Sequence, residues 1–587
     1  MRSLATSNFV STVCILIFLS ILKVHHVLFE LTFFILILYF VHLGIFSPDR
    51  DPHPSLYEIK FLQQPIHLIL ESDSKEKVVD HDSEYLEFQF ENRSHSIQWS
   101  EVQLTYFFSW DGMHHTNHSA NNLEGDFGHE DDHEISENHS ITRNNNCVVS
   151  IPFSQGITQV SRKFWINFRW SHRNKMPWEE DIIPVATEKV EIRVKGGLHE
   201  DEINGVEDDE QDTSIKLQET LDSVEIWSRK KDDRFMTKCA VLDKITGGLV
   251  SFCDLHGEEI LSEPMRPNFS RAATDNDRGG IERIKGACAV ISISDNIYLP
   301  FISTYRCSFL NNNFTCSTEL MPVWVAWSMG FVERIFFKYS YWHCWQKLGF
   351  DPEAPLRSEC DAIEVVVSNS KQIIIKAQIS IAHQEKKMFQ TSITYRFCCD
   401  GSVKVCAMTL PEKSLARSRL PSIPRIGYSL AIRKNLKHIT YLGRGPHENY
   451  CDRKSNSEMG IWSTSPKSMY YDYIFPCENG NRSNCSWAMF TREETKISPN
   501  DGFMIIAGDE DEDINNAEGF HFSALLHSQC ELHRATHTHQ LEERKEGEYP
   551  IYCNVDSHQM GIGGDAGWTP CVYDDYLLKP NKMYASQ

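Results

Sequence analysis

The sequence predicts an all-β fold in two parts, and three observations predict it. Leu86, Phe88 and Phe90 alternate with Glu87 and Gln89, and the same alternation recurs through Val102, Leu104 and Tyr106, Phe164, Ile166, Phe168 and Trp170, and Val190, Ile192 and Val194. A period of two puts each set on one face of a strand. Further along, Ile363, Val365 and Val367, then Ile373 and Ile375, then Ile393, Tyr395 and Phe397 give a second series of short strands. Between the two series Glu200, Asp201, Glu202, Glu207, Asp208, Asp209, Glu210 and Asp212 form an acidic run, which reads as a solvated linker over 196–213.

Taken in order, residues 1–50 form a hydrophobic leader. Its second half, Val27 to Phe46, is long enough to cross a bilayer, although Glu30 and His42 make the crossing costly. Its first half, Phe9 to Leu22, resembles a signal-peptide core without a small-residue cleavage site. The leader is therefore either a membrane anchor or an artefact of the reading frame, which leaves localisation open between membrane-anchored and cytoplasmic. Residues 51–195 follow, where about seven short strands predict an immunoglobulin-like sandwich. An insertion over 111–146, rich in His, Asn and acidic residues, interrupts it.

That insertion contains His129-Glu130-Asp131-Asp132-His133, a formal match to a zinc-protease motif. The motif works only on a helix, where histidines four apart share a face. Gly125 and Gly128 precede it and no apolar stripe surrounds it, so a polar loop is expected. Residues 214–587 read as a larger β domain, with Asp400-Gly401 as a hairpin turn. Near its end Met560 to Pro570 carries Gly561, Gly563, Gly564 and Gly567 around Asp565, followed by Trp568. Such a loop either plugs the end of a sandwich or presents one large ring to a ligand.

Composition excludes some partners. A formal charge of −23 argues against a nucleic-acid or anionic-membrane surface, since both demand a basic patch. The cysteines are scattered, with only Cys398-Cys399 adjacent, so neither a zinc framework nor a small disulfide scaffold is written here. Sequons at Asn92, Asn117, Asn138, Asn268, Asn313, Asn481 and Asn484 would suit a secreted chain but also arise by chance.

Five blocks occur in a telling order: Asp51-Pro52-His53-Pro54-Ser55-Leu56-Tyr57-Glu58, Asn268 to Gly279 with its Asp275-Asn276-Asp277, Gly443 to Arg453, Phe475 to Arg482, and the Met560 loop. Together they resemble the C-terminal part of the long bacterial-type β-galactosidases of glycoside hydrolase family 2. Pro424-Arg425-Ile426-Gly427 is similar to the family as well. The resemblance implies that 214–587 is the β super-sandwich shared with galactose-mutarotase-like proteins, and that Asp51 marks the exit from the family's catalytic barrel. It also implies that Trp568 stacks on the sugar, with Asp565, Gly563, Gly564 and Gly567 supporting the loop. One departure is an apolar insertion over 287–340, before the segment Tyr341 to Gly349 that matches the family again. It must bury itself or bind something, unless it is untranslated sequence retained in the frame.

Retaining glycoside hydrolysis needs two carboxyl groups about 5 Å apart. In family 2 both stand on barrel strand ends, and no alternating β/α pattern of about 250 residues occurs in this sequence. No catalytic residue is therefore assigned. Asp275, Asp277, Glu448, Glu478 and Asp565 are expected to fix turns and hydrogen bonds. His447 as a proton shuttle and His537 with His539 as a metal pair at strand spacing are weaker readings. No metal residue is assigned and no cofactor is expected on this chain, because the family's magnesium and sodium sites lie chiefly on the barrel.

The function implied is the C-terminal part of a β-galactosidase acting on terminal, lactose-like β-galactosides and contributing an aromatic wall. Its partners would be the carbohydrate and either a barrel-containing large subunit or a second copy of the chain. The alternative is a non-catalytic, membrane-anchored galactoside-binding module.

Overall fold

Alternating runs become strands because a half-buried strand needs one apolar face, and two such faces close on each other. The computed structural model describes residues 50–70, 76–80, 83, 85–110, 133–135, 139–141, 146–153, 163–174, 184–195, 213–230, 235–254, 256–279, 340–418, 420–493, 502–508, 519–564 and 572–586. Two units are distinguished, residues 1–60 and 61–587. The described part of the first enters a short helix, Pro54–Leu62, with proline in its first turn, where the missing N–H costs nothing.

In the second unit, one sheet orders its strands Ile66–Ile69, Tyr85–Asn92, Asn146–Pro152 and His139–Ile141. A second orders Glu76–Asp80, Pro184–Lys195, Lys163–His172, Val102–Trp110 and His133–Ile135. Their inner faces share one core, in which Phe168 meets Phe88 edge-on at 5.0 Å and Trp170 meets Phe90 at 5.3 Å. His133 begins a short strand, where the sequence reading expects a polar loop. His129 to Asp132 lie outside the described residues, as do nearly all of the leader 1–50, most of 111–146, positions 196–212 of the acidic linker, and positions 287–339 of the insertion together with 280–286 before it. No described helix is long and apolar enough to cross a membrane.

Three further sheets make up the larger part. Among the described residues, a nine-stranded sheet runs Thr213–Glu219, Ser223–Lys230, Thr237–Asp243, Leu249–Phe252, Leu261–Asn268, Arg425–Ile432, Ile551–Gln559, Phe520–Leu525 and Arg482–Cys485. A second sheet runs Arg357–Ser368, Gln372–His383, Lys386–Cys398, Val403–Pro411 and Tyr584–Ser586. A third orders Glu458–Thr464, His438–Gly445, Trp487–Thr491 and Gly502–Ile506. One apolar cluster draws on all three, with Ile373, Ile375, Ile393, Tyr395, Leu430, Tyr441, Phe490 and Phe522 inside it. Asp400-Gly401 turns the hairpin as read, with Cys398 and Ser402 joined by a 3.0 Å hydrogen bond.

Ile363, Val365 and Val367 lie on the strand Arg357–Ser368 as the alternation predicts, although Val365 is exposed. One local reading is corrected: His537 and His539 are not on a strand, because Thr538–Gln540 is a turn of 3₁₀ helix. Of the sequons, Asn92 and Asn481 are buried and Asn268 donates to Asn554 at 3.0 Å, so none of these three presents a side chain to a glycosylating enzyme in the folded chain.

Candidate functional site

Four stretches far apart in sequence meet where the Met560 loop leaves the strand Ile551–Gln559. The first begins as the strand Leu261–Asn268 ends. Asn268 takes the amide of Ser270 at 3.0 Å and breaks the ladder, and Thr274 then caps a single helical turn, Asp275–Arg278. Thr274 and Asp277 form a capping box, each side chain accepting the other's backbone N–H. This turn fixes Asp277 opposite Arg271, two fully buried groups joined at 2.7 and 3.0 Å. Burial works to lower the Arg271 pKa, but Asp277, with Glu478 and Tyr450, outweighs it and holds the guanidinium above its usual value.

Arg271 spends its remaining donors on the loop, giving Nη1 to Met560 O at 2.7 Å and Nη2 to Gly561 O at 3.0 Å. Asn276 adds bonds to Ile562 O at 2.6 Å and Gly563 O at 3.0 Å. Four successive carbonyls of the loop are thereby held by one structural turn. Trp345, on the helix Tyr341–Leu348, lies beneath, with its indole N–H on Ser422 O at 2.9 Å and Arg271 over its ring at 5.5 Å.

From the other side Asp452 accepts the Gly563 amide at 2.7 Å. A side chain at position 561 would meet the Asp452 carboxylate at 2.5 Å, so glycine there is what lets the acid close on the loop. Gly564 takes φ 132°, a region that favours glycine. Gly563 and Gly564 thus stand at the stem, whereas Asp565, Gly567 and Trp568 lie outside the described residues.

Beneath the stem is a second buried ionic group. Antiparallel pairing puts Arg425 opposite Gln559. Arg425 then meets Glu478 at 2.5 Å and Asp556 at 3.4 Å, all three essentially without solvent exposure. One arginine faces two carboxylates. Burial pushes Glu478 up against the pull of Arg425 and Arg271, and pushes Asp556 up to about 7. Beside them Glu448 is paired with Arg453, accepts the Tyr473 hydroxyl at 2.5 Å and accepts the Gly480 amide at 2.8 Å.

Asp277, Glu448, Glu478 and Asp556 are 0%, 6%, 2% and 1% exposed, and each is engaged by an arginine. Such carboxylates are held inside the scaffold by their arginines. His447 is held below its usual pKa by burial and by Arg482. His537 and His539 lie 5.5 Å apart ring to ring, and no group of three or more His, Cys, Asp or Glu is placed to hold a metal ion among the described residues. The sequence reading placed Arg425 and Asp452 in family blocks without giving either a role, and it did not name Asp556. A charged residue inside an otherwise apolar strand, as in Pro424-Arg425-Ile426-Gly427, was the available signal.

The arrangement defines an all-β scaffold that presents one glycine-rich loop from a buried ionic base. A family model described as beta galactosidase small chain matches residues 236–587, and the chain belongs to that family. Beta-galactosidases of Yersinia enterocolitica and Vibrio cholerae are similar to it, at 26% identity over 544 residues and 28% over 330 residues. These matches cover 93% and 56% of this chain, and 40% and 24% of the relatives. The beta-galactosidase of Oenococcus oeni is 29% identical over 211 residues, 36% of this chain and 18% of the relative. The chain thus spans about 40% of the length of the relatives that match most of it.

Proposed function

We propose that this chain is the C-terminal, small-chain portion of a glycoside hydrolase family 2 β-galactosidase and supplies the aromatic wall of its sugar site. The observation that supports this reading is the convergence of the Asn268, Pro424, Gly443 and Phe475 blocks on the stem of the Met560 loop. A loop that only connects strands has no use for a fully buried arginine on its carbonyls. A loop that must hold one ring at a fixed place has. Trp568, four residues beyond Gly564, stacks its face on the C–H face of a galactosyl or acceptor ring. Asp565 and Gly567 shape the loop around it.

The substrates are terminal β-galactosides of the lactose type. The acid and the nucleophile come from a barrel outside this sequence, linked to it or assembled with it as a large subunit; Asp277, Glu448, Glu478 and Asp556 are each engaged by an arginine, and Asp452 holds the Gly563 amide.

The test uses the full chain and its Trp568→Ala variant. Lactose titration is expected to show binding of about millimolar strength, lost in the variant. Hydrolysis of a nitrophenyl galactoside by the chain alone is expected to stay at background. Binding unchanged by Trp568→Ala refutes the wall. Turnover by the chain alone refutes the assignment of the catalytic pair to a barrel.

A further inference from the structure

The smaller sandwich grips the larger one at a short segment, Lys454 to Met459, through buried, directional side chains. Lys189, on the strand Pro184–Lys195, is only 9% exposed and points its ammonium at the carbonyls of Lys454 and Ser455, both at 3.2 Å, and of Ser457. Asn167 is fully buried and takes both backbone groups of Met459: its amide donates to Met459 O at 2.8 Å, and its oxygen accepts Met459 N at 3.2 Å. Ser109 adds a hydroxyl to Met459 O at 2.7 Å. Arg169 makes a two-pronged pair with Glu458 at 2.8 and 3.0 Å. Asn167 therefore does for the edge strand Glu458–Thr464 what a neighbouring strand would do.

This segment directly follows the turn that reaches the candidate site. Tyr450 and Arg453 exchange backbone hydrogen bonds of 3.0 and 2.9 Å, closing a rigid turn with Asp452 at its tip. Asp452 holds the Gly563 amide. Arg444, from the same sequence block, directs its guanidinium at the carbonyls of Lys454 and Ser457 that Lys189 uses, at 3.4 and 3.5 Å. A buried ammonium is tolerated only while its acceptors stay in place. The position of those carbonyls, and of the turn two residues before them, is thus tied to a strand of the other sandwich.

We infer that Lys189, with Asn167 and Arg169, is a positioning residue for the site loop: the smaller sandwich sets where Asp452 holds Gly563. That this loop contacts a sugar rests on the preceding section, but the linkage does not, and its test reads no sugar.

The test is hydrogen–deuterium exchange on the full chain. Lys189→Met is expected to speed exchange of the Gly563 amide by about tenfold while the strand Gln372–His383 keeps its protection. In an Asp452→Asn background, where the acceptor is already weakened, Lys189→Met is expected to add nothing at Gly563. Faster exchange at 454–459 with none at Gly563 overturns the inference, as does an undiminished effect in the Asp452→Asn background. Should Lys189→Met fail to fold, Arg169→Gln, at a partly exposed pair, gives the same reading at about threefold, and an unchanged Gly563 there overturns it equally.

Discussion

Replacing Arg271 by methionine tests the base of the site most directly, because one side chain holds an acid and two loop carbonyls. The substitution places an apolar side chain in a site with no solvent exposure and removes the arginine partner of Asp277, which keeps the Thr274 amide at 2.9 Å. Breaking one side of a buried pair costs about 3–5 kcal/mol. The carbonyls of Met560 and Gly561 lose their donors at 2.7 and 3.0 Å as well, each worth about 1–3 kcal/mol if left unsatisfied. These terms overlap, and a local loss of about 4–6 kcal/mol is expected. Native-state exchange reads it at the amides of Arg278 and Gly561, bonded at 3.0 Å to Thr274 O and Tyr576 O, and the expected acceleration is about a thousandfold or more. Pairing Arg271→Met with Asp277→Leu removes the stranded charge and is expected to recover part of the loss. Exchange within about threefold of the parent, or a double variant worse than the single one, would refute the view that this ion pair anchors the loop.

Two further outcomes follow from the same region. Burial raises the Asp556 carboxyl to about 7 in the folded chain, above its ordinary value, so the folded state holds that proton more tightly than the unfolded one. The stability this contributes is complete below about pH 4 and is lost as pH rises through about 7. Asp556→Asn, which keeps the shape beside Arg425 and Glu478 and opposite His521 on the neighbouring strand, is expected to make the decline of Tm between about pH 5 and about pH 8 shallower. An unaltered slope counts against a proton on Asp556. Thr274→Ala removes the cap of Asp275–Arg278 and is expected to cost about 1 kcal/mol, seen as a fall in Tm of about 2 °C and faster exchange at Asp277, with no global change in circular dichroism.

What could be read from residues alone was what neighbours in sequence decide. Alternation at Leu86 to Phe90 and Phe164 to Trp170 announced strands because pleating turns successive side chains to opposite faces, whatever the partner strand. Asp400-Gly401 announced a hairpin because the turn is made within a few residues. The order of the sequence blocks pointed to the family. The tertiary structure decided everything that depends on register between distant segments. Arg425 finds Glu478 and Asp556 only because the strands Arg425–Ile432 and Ile551–Gln559 pair with Arg425 opposite Gln559. Asp452 finds Gly563 across more than a hundred residues, and Lys189 finds the carbonyls before Met459 across still more. Local pattern is blind to such meetings, since burial and charge pairing are set by which surfaces the whole chain brings together. The strand Arg357–Ser368 shows the same limit on a smaller scale: alternation named the strand, and its burial, with Val365 exposed, was set by the surfaces around it.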